Sequence, residues 1–365
     1  MCRILIEYYV NLSKKRSGPR RAQRSVISYV QKSPPPSAAT APHPAGLFGR
    51  RSGSAHRLRA GEGLFLKAPE QKAAELPAQS AASDTDSQQS REEQAAQEAL
   101  RSHLERKGGF YTILLSGLDD DNGGSDTNIL VAVDTVNDYI YGVSIPRDSK
   151  AIIDGKARKI NYAYNKGGTE LLADTVSEQL GIPVDYTVSV NLKGFTALVD
   201  AIGGVDFDVP INMDYDDPIQ NLSIHFKKGV QHLSGADALR MVRFRHNNDG
   251  SGYGSEDLGR MATQQKFLKA VAKKMLSAGN ILTKIDDYAK IFNQYVDTNL
   301  TVGNLAWLGT EVLKMGVDKI DFSTLPNAWK YPYIYLDPTE TLTLVNTYLN
   351  PYVEDRTADD LNIPG

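Results

Sequence analysis

From residue 109 onward, short apolar segments alternate with segments whose apolar residues recur every three or four positions. The segments 110–116, 128–134 and 139–145 are short, apolar and bounded by turn residues, which is typical of buried strands. The second and third of them flank the turn 135–138, so we predict that they form a hairpin. The folded part of the chain is therefore predicted to begin with strands.

Helical spacing first appears in residues 168–180, where Leu172, Val176 and Leu180 recur every four positions and Gly181 ends the pattern. The same reasoning predicts more elements farther along the chain. We expect helices at 193–202, 234–243, 255–276, 281–295 and 302–315, and strands at 186–190, 205–209, 242–246, 319–323 and 333–336.

This order of elements indicates an α/β fold. Because strands and helices alternate after an initial hairpin, we expect helices on both faces of a sheet that mixes parallel and antiparallel strands. We predict a three-layer α-β-α sandwich with a mixed central sheet, preceded by a disordered N-terminal tail. The main domain would span residues 109–279, and the helices and short strands of residues 280–365 would pack on the same domain.

Charge is distributed unevenly between the N-terminal segment and the rest of the 365-residue chain. Residues 1–60 contain twelve Lys and Arg against the single acid Glu7, a net charge of +11, whereas the whole chain carries −3, so the remainder carries −14. The basic segment is rich in Arg, Ser, Pro and Ala and lacks periodicity, so we predict that residues 1–67 are a disordered tail. Residues 68–108, rich in Gln, Glu, Ala and Ser, are predicted to be a linker or stalk.

Cysteine and apolar content limit the class of protein. The chain has one cysteine, Cys2, so no internal disulfide can form. A membrane-spanning helix needs about 20 mostly apolar residues, and no segment of the sequence meets that requirement. We therefore predict neither a disulfide scaffold nor an integral membrane domain.

Four arginines in turn-rich segments are the main candidates for ligand binding. Arg147 follows a predicted strand at the sheet edge, where open α/β sheets bind ligands. Arg243 and Arg245 are two apart on a predicted strand and so share a face, while Arg260 and Gln264 are four apart near a helix N-terminus. Taken singly, each pair could be a solvated patch or a structural ion pair. Their convergence would form a polyanion site, because the guanidinium fork matches phosphate oxygens.

Carboxylates beside this cluster indicate a divalent cation. Asp119 and Asp126 flank a short loop, and Mg²⁺ or Mn²⁺ between them would offset their repulsion of a phosphate. Asp148 follows Arg147 directly. Lys159, in the phrase KINYAY, adds a cation that could bind the same anion, and the alternative for this phrase is a loop followed by helix packing.

Three other patterns carry weaker predictions. The six histidines lack metal-ligand spacing. The acidic phrase MDYDDP, residues 213–218, is interpreted as a turn. The basic segment could bind nucleic acid or anionic lipid by counterion release, but basic tails are common, and we do not expect nucleic acid to be a partner.

Seven phrases occur in order between residues 110 and 276. They are SDTNILVAVD, VSIPRDS, KINYAYNKGG, GFTALVDAIGGVDFDVP, MDYDDP, GVQHLSGADALRMVRFRH and DLGRMATQQKFLKA. Together they resemble the LytR-CpsA-Psr family of bacterial cell-wall enzymes, and the resemblance is specific because several separate motifs agree.

The resemblance implies a phosphotransferase on the extracellular face of the bacterial cell membrane. Such an enzyme takes an anionic glycopolymer, such as teichoic acid or capsular polysaccharide, from undecaprenyl pyrophosphate and attaches it to peptidoglycan. The implied partners are these two substrates and membrane lipid. A lipid tail would lie in a groove to which Phe195, Leu198, Phe267 and Val271 contribute.

The resemblance also implies roles for individual residues. Asp119 and Asp126 would hold the metal, and Arg147 would act on the reacting phosphate. The pyrophosphate would be gripped by Arg147, Arg243, Arg245, Arg260 and Gln264, with Lys159 as a further contact. Either Asp148 or Asp126 would accept the proton of the peptidoglycan hydroxyl, and the sequence leaves that choice open.

Two features depart from the family pattern. Gly124 precedes the SDT phrase where many relatives have an arginine, so one phosphate contact is expected to be missing. Residues 1–60 stand where relatives usually carry a membrane helix, and we hypothesise that this segment reflects a wrong start or a shifted reading frame. Recovery of native peptides from residues 32–50 by mass spectrometry would refute that hypothesis.

Two other functions could use the same residues. One is a regulator that binds polyprenyl phosphate without catalysis and contacts DNA through its basic segment. The other is a polyprenyl pyrophosphatase that transfers the phosphoryl group to water instead of a sugar. Product analysis separates the pyrophosphatase from the transferase.

Overall fold

The computed structural model of the protein describes residues 66–72, 103–118, 124–219, 221–254 and 256–365. The strands, numbered in chain order, are β1 Phe110–Leu118, β2 Ser125–Asp134, β3 Tyr139–Ile145, β4 Lys150–Ile153, β5 Lys156–Lys159, β6 Tyr186–Asn191, β7 Val205–Val209, β8 Met213–Asp217, β9 Leu222–Phe226, β10 Gly229–Leu233, β11 Val296–Thr298, β12 Ile320–Thr324, β13 Asn327–Lys330 and β14 Tyr333–Leu336. The helices are α1 Asn161–Leu180, α2 Leu192–Ala201, α3 Gly235–Arg243, α4 Glu256–Met275, α5 Ala278–Tyr295, α6 Val302–Met315 and α7 Pro338–Leu344.

The central sheet has six strands in the order β11-β6-β1-β2-β3-β12. The predicted hairpin is present, because β2 and β3 pair antiparallel, and β1 pairs antiparallel with β2. Strand β6 runs parallel to β1, and β12 runs parallel to β3, while β11 is antiparallel to β6. The sheet is therefore mixed, as predicted.

Helices cover both faces of this sheet. On one face, Leu114 of β1 belongs to a buried cluster with Leu172 of α1. Its neighbour Ile113 points to the opposite face, where it belongs to a cluster with Leu308 of α6. Because successive side chains of a strand alternate between faces, a strand that is apolar at consecutive positions needs cover on both sides. The predicted three-layer sandwich is confirmed.

Predicted elements differ from the structure at the phrase MDYDDP and at the start of the first long helix, as well as at residues 242–246. The phrase MDYDDP is a strand, β8, which pairs with β9 in the register Met213↔Phe226 to Asp217↔Leu222, so its interpretation as a turn was wrong. Burial of Met213 on a paired strand outweighed the local turn propensity of the aspartates. Helix α1 begins at Asn161 rather than at residue 168, with Gly168 at φ 71° as a non-helical interruption.

Segments outside the predicted main domain contribute to the fold. Both edge strands of the central sheet, β11 and β12, come from the region after residue 279. Residues 66–72 also contact the sheet: the Gln71 side chain donates to the carbonyl oxygens of Lys107 and Phe110 at 2.7 and 2.6 Å. Asn304 of α6 donates to the carbonyl oxygen of Lys67 at 3.0 Å.

Three predictions lie wholly or mostly outside the described residues: the tail 1–67, of which only residues 66 and 67 are described, most of the stalk 68–108, and the loop that contains Asp119. Within the part of the chain that is described, no helix combines the length and apolar character that crossing a bilayer requires.

Gly142 in β3 permits a close contact with the edge strand β12. It lies opposite Phe322, and a Cβ atom at position 142 would come within 2.4 Å of the Phe322 ring. We expect Gly142→Ala to lower the free energy of unfolding by about 1–3 kcal/mol, because added volume in a packed interior forces strained rotamers or backbone shifts. Urea denaturation would measure the change.

Gly309→Ala in α6 is the matched control for this prediction. A Cβ atom there has no neighbour within 4 Å, so the substitution should raise stability by roughly 0.5–1 kcal/mol through helix propensity. Equal stability of Gly142→Ala and the unmodified protein would contradict the proposed packing of Phe322.

Candidate active site

The loop after β3 holds Arg147 at the edge of the central sheet. The Ser149 amide donates to the Pro146 carbonyl at 2.9 Å, which closes a tight turn around Arg147 and Asp148. The amide of Asn161, at the start of α1, donates to the Arg147 carbonyl at 3.2 Å. These two hydrogen bonds fix the backbone at Arg147, which limits the directions that its side chain can take.

The Arg147 guanidinium contacts two carboxylates. Its Nη1 atom lies 2.5 Å from Asp126 Oδ1 at the start of β2, and its Nε atom lies 3.9 Å from Asp148 Oδ1. Lys159 at the end of β5 reaches the same Asp148 oxygen at 3.1 Å. Asp148 thus joins two of the predicted phosphate ligands, and it orients Arg147 toward Asp126.

A small cleft that is open to solvent lies beside this ion pair. Asp126 and Arg147 line it from the sheet, and Arg260 and Gln264 line it from α4. Arg260 is only 8% exposed, and a cation that is largely removed from water is stabilised by anionic neighbours. The structure therefore brings together three of the predicted anion ligands, Arg147, Arg260 and Gln264, with the predicted metal ligand Asp126.

Gln265 fixes α4 against the sheet at this cleft. Its Nε2 atom donates to Ser144 Oγ at 2.9 Å and to the carbonyl of Ser323 at 2.8 Å. Ser144 lies three residues before Arg147, and Gln265 lies on the same helix as Arg260. These bonds therefore determine how close Arg260 comes to Arg147. Sequence reasoning assigned no role to Gln265, and the only signal was its place beside Gln264 in the phrase MATQQ.

Tyr253 lies near Arg260, and its position accounts for the glycine at position 259 in the DLGR phrase. A Cβ atom at Gly259 would come within 2.2 Å of the Tyr253 side chain, so glycine is needed for this approach. Burial raises the pKa of the Tyr253 phenol, and the nearby Arg260 charge partly opposes that effect. The ring of Tyr253 also meets Phe244 edge-on, at a centroid distance of 5.6 Å.

Arg243 and Arg245 do not share a strand face, so this part of the prediction was wrong. Arg243 is the last residue of α3, Phe244 is extended and 1% exposed, and Arg245 is exposed. Burial of the Phe244 ring turns the chain out of the helix at this point. The Gln264 side chain donates to the carbonyl of Val242 at 2.9 Å, so the end of α3 lies beside α4. In the described residues, neither arginine lines the cleft that contains Arg147.

Oxygen-bearing side chains flank Asp126 in the sequence of β2. Asn128 Oδ1 and Ser125 Oγ are buried and have no hydrogen-bond partner among the described residues, and Asn128 lines the cleft with Asp126. Carboxylate, amide and hydroxyl oxygens are the ligand types that Mg²⁺ and Mn²⁺ prefer. No group of three or more His, Cys, Asp or Glu side chains with metal-site geometry occurs in the described residues, and Asp119 lies outside them.

The residues predicted to line a lipid groove lie in a packed cluster. Phe267 is fully buried and Val271 is 6% exposed, in a core formed by α2 to α4 and β7 to β10. The rings of Phe195 and Phe267 have centroids 6.0 Å apart. Phe195 and Leu198 are partly exposed at the margin of this core. The apolar residues come together as predicted, but Phe267 is covered and does not line an open groove.

Sequence and structure comparisons agree with one another. The chain is 37% identical over 202 residues to the polyisoprenyl-teichoic acid–peptidoglycan teichoic acid transferase TagV of Bacillus subtilis, a match that covers 53% of this chain and 50% of TagV. It is also 37% identical over 195 residues to the polyisoprenyl-teichoic acid–peptidoglycan teichoic acid transferase TagU of Bacillus cereus. That match covers 52% of this chain and 60% of TagU. The chain thus spans about half the length of these curated relatives.

The crystal structure of B. subtilis TagV resembles the fold, with a TM-score of 0.56 and 32% identity over 66% of this chain and 96% of that one. The sequence profile of the LytR_cpsA_psr family matches residues 74–349, which is about three quarters of the chain and includes the cleft and all seven phrases. The protein is therefore a member of the LytR_cpsA_psr family.

Proposed function

We propose that the protein is a phosphotransferase that attaches an anionic glycopolymer, carried on undecaprenyl pyrophosphate, to peptidoglycan. The observation that carries this proposal is the convergence of Arg147, Arg260 and Gln264 with Asp126 on one cleft. Relatives named teichoic acid transferases support the same assignment. Two arginines and an amide beside a carboxylate suit a metal-bound pyrophosphate better than a neutral ligand.

The reaction exchanges the phosphoanhydride bond of the pyrophosphate for a phosphodiester bond to peptidoglycan. A peptidoglycan hydroxyl oxygen forms a bond to the phosphorus nearer the glycan, and the bond from that phosphorus to the bridging oxygen breaks. Polyprenyl phosphate leaves with the bridging oxygen and its electron pair, and the hydroxyl proton passes to a carboxylate. Because phosphoryl transfer needs little covalent help from the protein, positioning and charge neutralisation provide most of the acceleration.

The described side chains divide these tasks. Arg147 and Arg260 neutralise the phosphate oxygens, and Gln264 orients them from α4. Asp148 positions Arg147 through the ion contacts at its Oδ1 atom, which it shares with Lys159. Asp126 lines the cleft and Asp148 does not, which favours Asp126 as the proton acceptor.

Arg243 and Arg245 are assigned to the outer part of the substrate. They flank Phe244 at the end of α3, beside Gln264, and Arg245 is exposed. An exposed guanidinium suits a solvated phosphate better than the reacting one, because charge interactions weaken in water. The polyprenyl chain would approach the apolar margin formed by Phe195 and Leu198, and the enzyme would act at the extracellular membrane face.

Incubation of the protein with lipid-linked glycan, Mg²⁺ and peptidoglycan oligomers tests the proposal. We expect a phosphodiester-linked glycan–peptidoglycan product and release of polyprenyl phosphate, as analysed by mass spectrometry. Release of free glycan phosphate without a peptidoglycan adduct would instead identify a pyrophosphatase. Binding of the lipid-linked substrate without turnover would identify a carrier-binding regulator.

We propose Mg²⁺ or Mn²⁺ as the cofactor, held by Asp126 and, from the sequence, Asp119. The cation would neutralise the pyrophosphate and increase the reactivity of its phosphorus. Removal of divalent cations with EDTA should abolish transfer, and added Mg²⁺ should restore it. Independently of activity, Mn²⁺ binding followed by electron paramagnetic resonance should weaken at least about tenfold in Asp126→Ala.

Asp154→Ala is the matched control for the metal prediction. Asp154 is an exposed carboxylate in the turn between β4 and β5, paired with Lys166. This variant should bind Mn²⁺ like the unmodified protein. Equal Mn²⁺ affinity of Asp126→Ala and the unmodified protein would remove Asp126 from the metal site.

A further inference from the structure

The β13–β14 hairpin lies directly against residues 146–149, the loop that holds Arg147 and is the proposed catalytic loop. The Ile334 amide of β14 donates to the Asp148 carbonyl at 2.9 Å, and Ser149 and Ile334 form a parallel bridge. Asp148 is adjacent to Arg147 in the chain. Any substituent that extends from a phosphate held by Arg147 toward this side of the cleft must therefore pass close to the hairpin.

Two lysines lie over one aromatic ring on this hairpin. Lys150 Nζ of β4 is 4.9 Å from the centroid of the Tyr335 ring, and Lys330 Nζ of β13 is 5.8 Å from it. Lys150 also donates to the main-chain oxygen of Gly365. Within the described residues, Lys330 forms no ion pair with a carboxylate. Two cations held near one ring repel each other, and an anion between them would relieve that repulsion.

The neighbouring rings are suited to carbohydrate. Tyr333 meets Tyr335 edge-on with centroids 6.4 Å apart, and its hydroxyl donates to the Ala157 carbonyl at 3.1 Å, which fixes the ring. Tyr331, in the turn of the hairpin, is 85% exposed. Trp329 pairs with Ile334 and so lies on the opposite face from Lys330 and Tyr335. Exposed aromatic side chains next to cations are typical of an interaction surface.

Cations connect the catalytic loop with this hairpin. Lys159, which contacts Asp148, lies directly opposite Lys150 in the β4–β5 pair. Like charges at opposed positions destabilise a strand pair unless each is compensated. Lys150 is in turn held over the Tyr335 ring, which Lys330 shares. Lys159, Lys150 and Lys330 therefore follow one another across β5, β4 and β13, with Tyr335 of β14 between the last two.

We propose that Lys150, Lys330 and Tyr335 form a subsite for the sugar-phosphate chain of the anionic glycopolymer, where that chain leaves the catalytic cleft. The lysines bind phosphodiester groups, and the tyrosine rings stack on the sugars. This inference rests on the proposed function, because it takes the glycan to extend from a pyrophosphate held by Arg147. The subsite would lower the KM for long glycopolymers and leave the chemical step unchanged.

Charge and position favour this occupant over two others. A neutral glycan strand would use the rings but leave the lysines without anions. A bilayer surface would also attract lysines and aromatic residues, but the hydrogen bond between the hairpin and the Asp148 carbonyl places this surface beside the cleft. A chain that carries a phosphate in each repeat matches both the positive charge and the rings.

Binding of water-soluble poly(glycerol phosphate), which lacks a lipid, tests the subsite without any need for turnover. Isothermal titration calorimetry at low salt would compare the unmodified protein with K150Q/K330Q. We expect the double variant to bind about tenfold more weakly, which corresponds to about 1.4 kcal/mol, and the salt dependence of binding to decrease. In transfer assays the same variant should raise KM for the lipid-linked polymer and keep kcat.

K228Q is the matched control, since Lys228 is an exposed lysine in the turn between β9 and β10. It should leave poly(glycerol phosphate) binding unchanged. The single variant K330Q changes only an exposed side chain, so it provides a second reading if the double variant is destabilised. It is expected to weaken binding by about threefold, half the free-energy change of the double variant.

Several results would overturn the subsite. One is that K150Q/K330Q, or a folded K330Q variant, binds poly(glycerol phosphate) as tightly as the unmodified protein does. Another is that K228Q loses as much affinity as the double variant. A third is that the lysines are needed to bind anionic vesicles or neutral chitooligosaccharide while poly(glycerol phosphate) does not bind. Failure of the proposed function would look different. In that case poly(glycerol phosphate) would still bind through the lysines, but no glycan–peptidoglycan product would form.

Discussion

Arg147→Ala is expected to reduce glycan transfer by roughly 100- to 1,000-fold and to leave the domain folded. The guanidinium of Arg147 lies between Asp126 and Asp148 at the mouth of the cleft. Loss of one preorganised donor to a developing anion typically costs this much in rate. The measurement is the rate of product formation with lipid-linked glycan and peptidoglycan oligomers at saturating substrate.

The fold should survive this change because neither carboxylate is left buried without compensation. The Asp126 side chain is 44% exposed, so it stays hydrated, and Asp148 keeps its contact with Lys159 at 3.1 Å. Circular dichroism and the unfolding midpoint would verify this. Arg147→Lys keeps a positive charge but loses the planar fork, so it should restore only part of the rate.

Arg240→Ala is the matched control for the arginine prediction. Arg240 is an exposed arginine of α3 that pairs with Asp237 at 2.9 Å. Its loss should change the transfer rate by less than about twofold, since exposed pairs of this kind contribute little. Undiminished transfer in Arg147→Ala would remove Arg147 from the reaction, and an equal loss in Arg240→Ala would point to a non-specific charge effect.

Asp185→Ala is expected to lower the free energy of unfolding by about 3–5 kcal/mol. The Asp185 carboxylate is fully buried and receives Arg106 through two hydrogen bonds, of 3.0 and 2.8 Å. It also accepts the amides of Thr112 and Lys72, both at 2.9 Å. Removal of one partner of a buried, hydrogen-bonded ion pair leaves the other charge without compensation, which has this cost. Urea denaturation would measure it.

The position of Asp185 explains why the effect should be large. It joins residues 66–72 and Arg106 to the neighbouring strands β1 and β6. Its loss would therefore detach residues 66–72 from the sheet and leave the Arg106 charge without its partner. The unfolding midpoint should fall by on the order of 10 °C for a domain of this size. Replacement of both partners, Arg106→Leu with Asp185→Leu, should be less harmful than Asp185→Ala alone.

Asp321→Ala provides the comparison for an exposed pair. Asp321 contacts Lys269 at 3.2 Å and its side chain is 71% exposed. We expect a loss of less than about 1 kcal/mol, because water screens the interaction. A similar small loss in Asp185→Ala would show that the buried network does not hold residues 66–72 to the sheet.

Much of the fold could be predicted from local pattern. The β2–β3 hairpin, the boundaries of β7 and α6, and the Ser234 cap of α3, whose Oγ accepts the Asp237 amide at 3.2 Å, all follow from periodicity or capping chemistry. The strand β8 was missed because its aspartates have turn propensity and its pairing with β9 is a tertiary contact. The strand predicted at residues 242–246 was wrong because burial of Phe244 ends α3 there.

The candidate site was predictable in composition but not in arrangement. Arg147 at a strand end, and Arg260 and Gln264 on one helix face, were inferred from spacing, and they line one cleft. Arg243 and Arg245 were expected on the same face and are separated by the end of a helix. Phe267 was expected in an open groove and is buried in a core. In both cases the packing around the residue, which local spacing does not encode, decided its exposure.

The sequence by itself determined the type of most elements, the residues able to bind phosphate, and, through its motifs, the family. Local geometry is sufficient for that, because the side-chain repeat of a helix or strand depends only on its own backbone. Only the tertiary structure decided which of the predicted arginines line the same cleft. Arg260 reaches the side of Arg147 because Gln265 bonds to Ser144, 121 residues away in the chain. Contacts over such separations depend on the order of strands and the docking of helices, which emerge when the whole core packs.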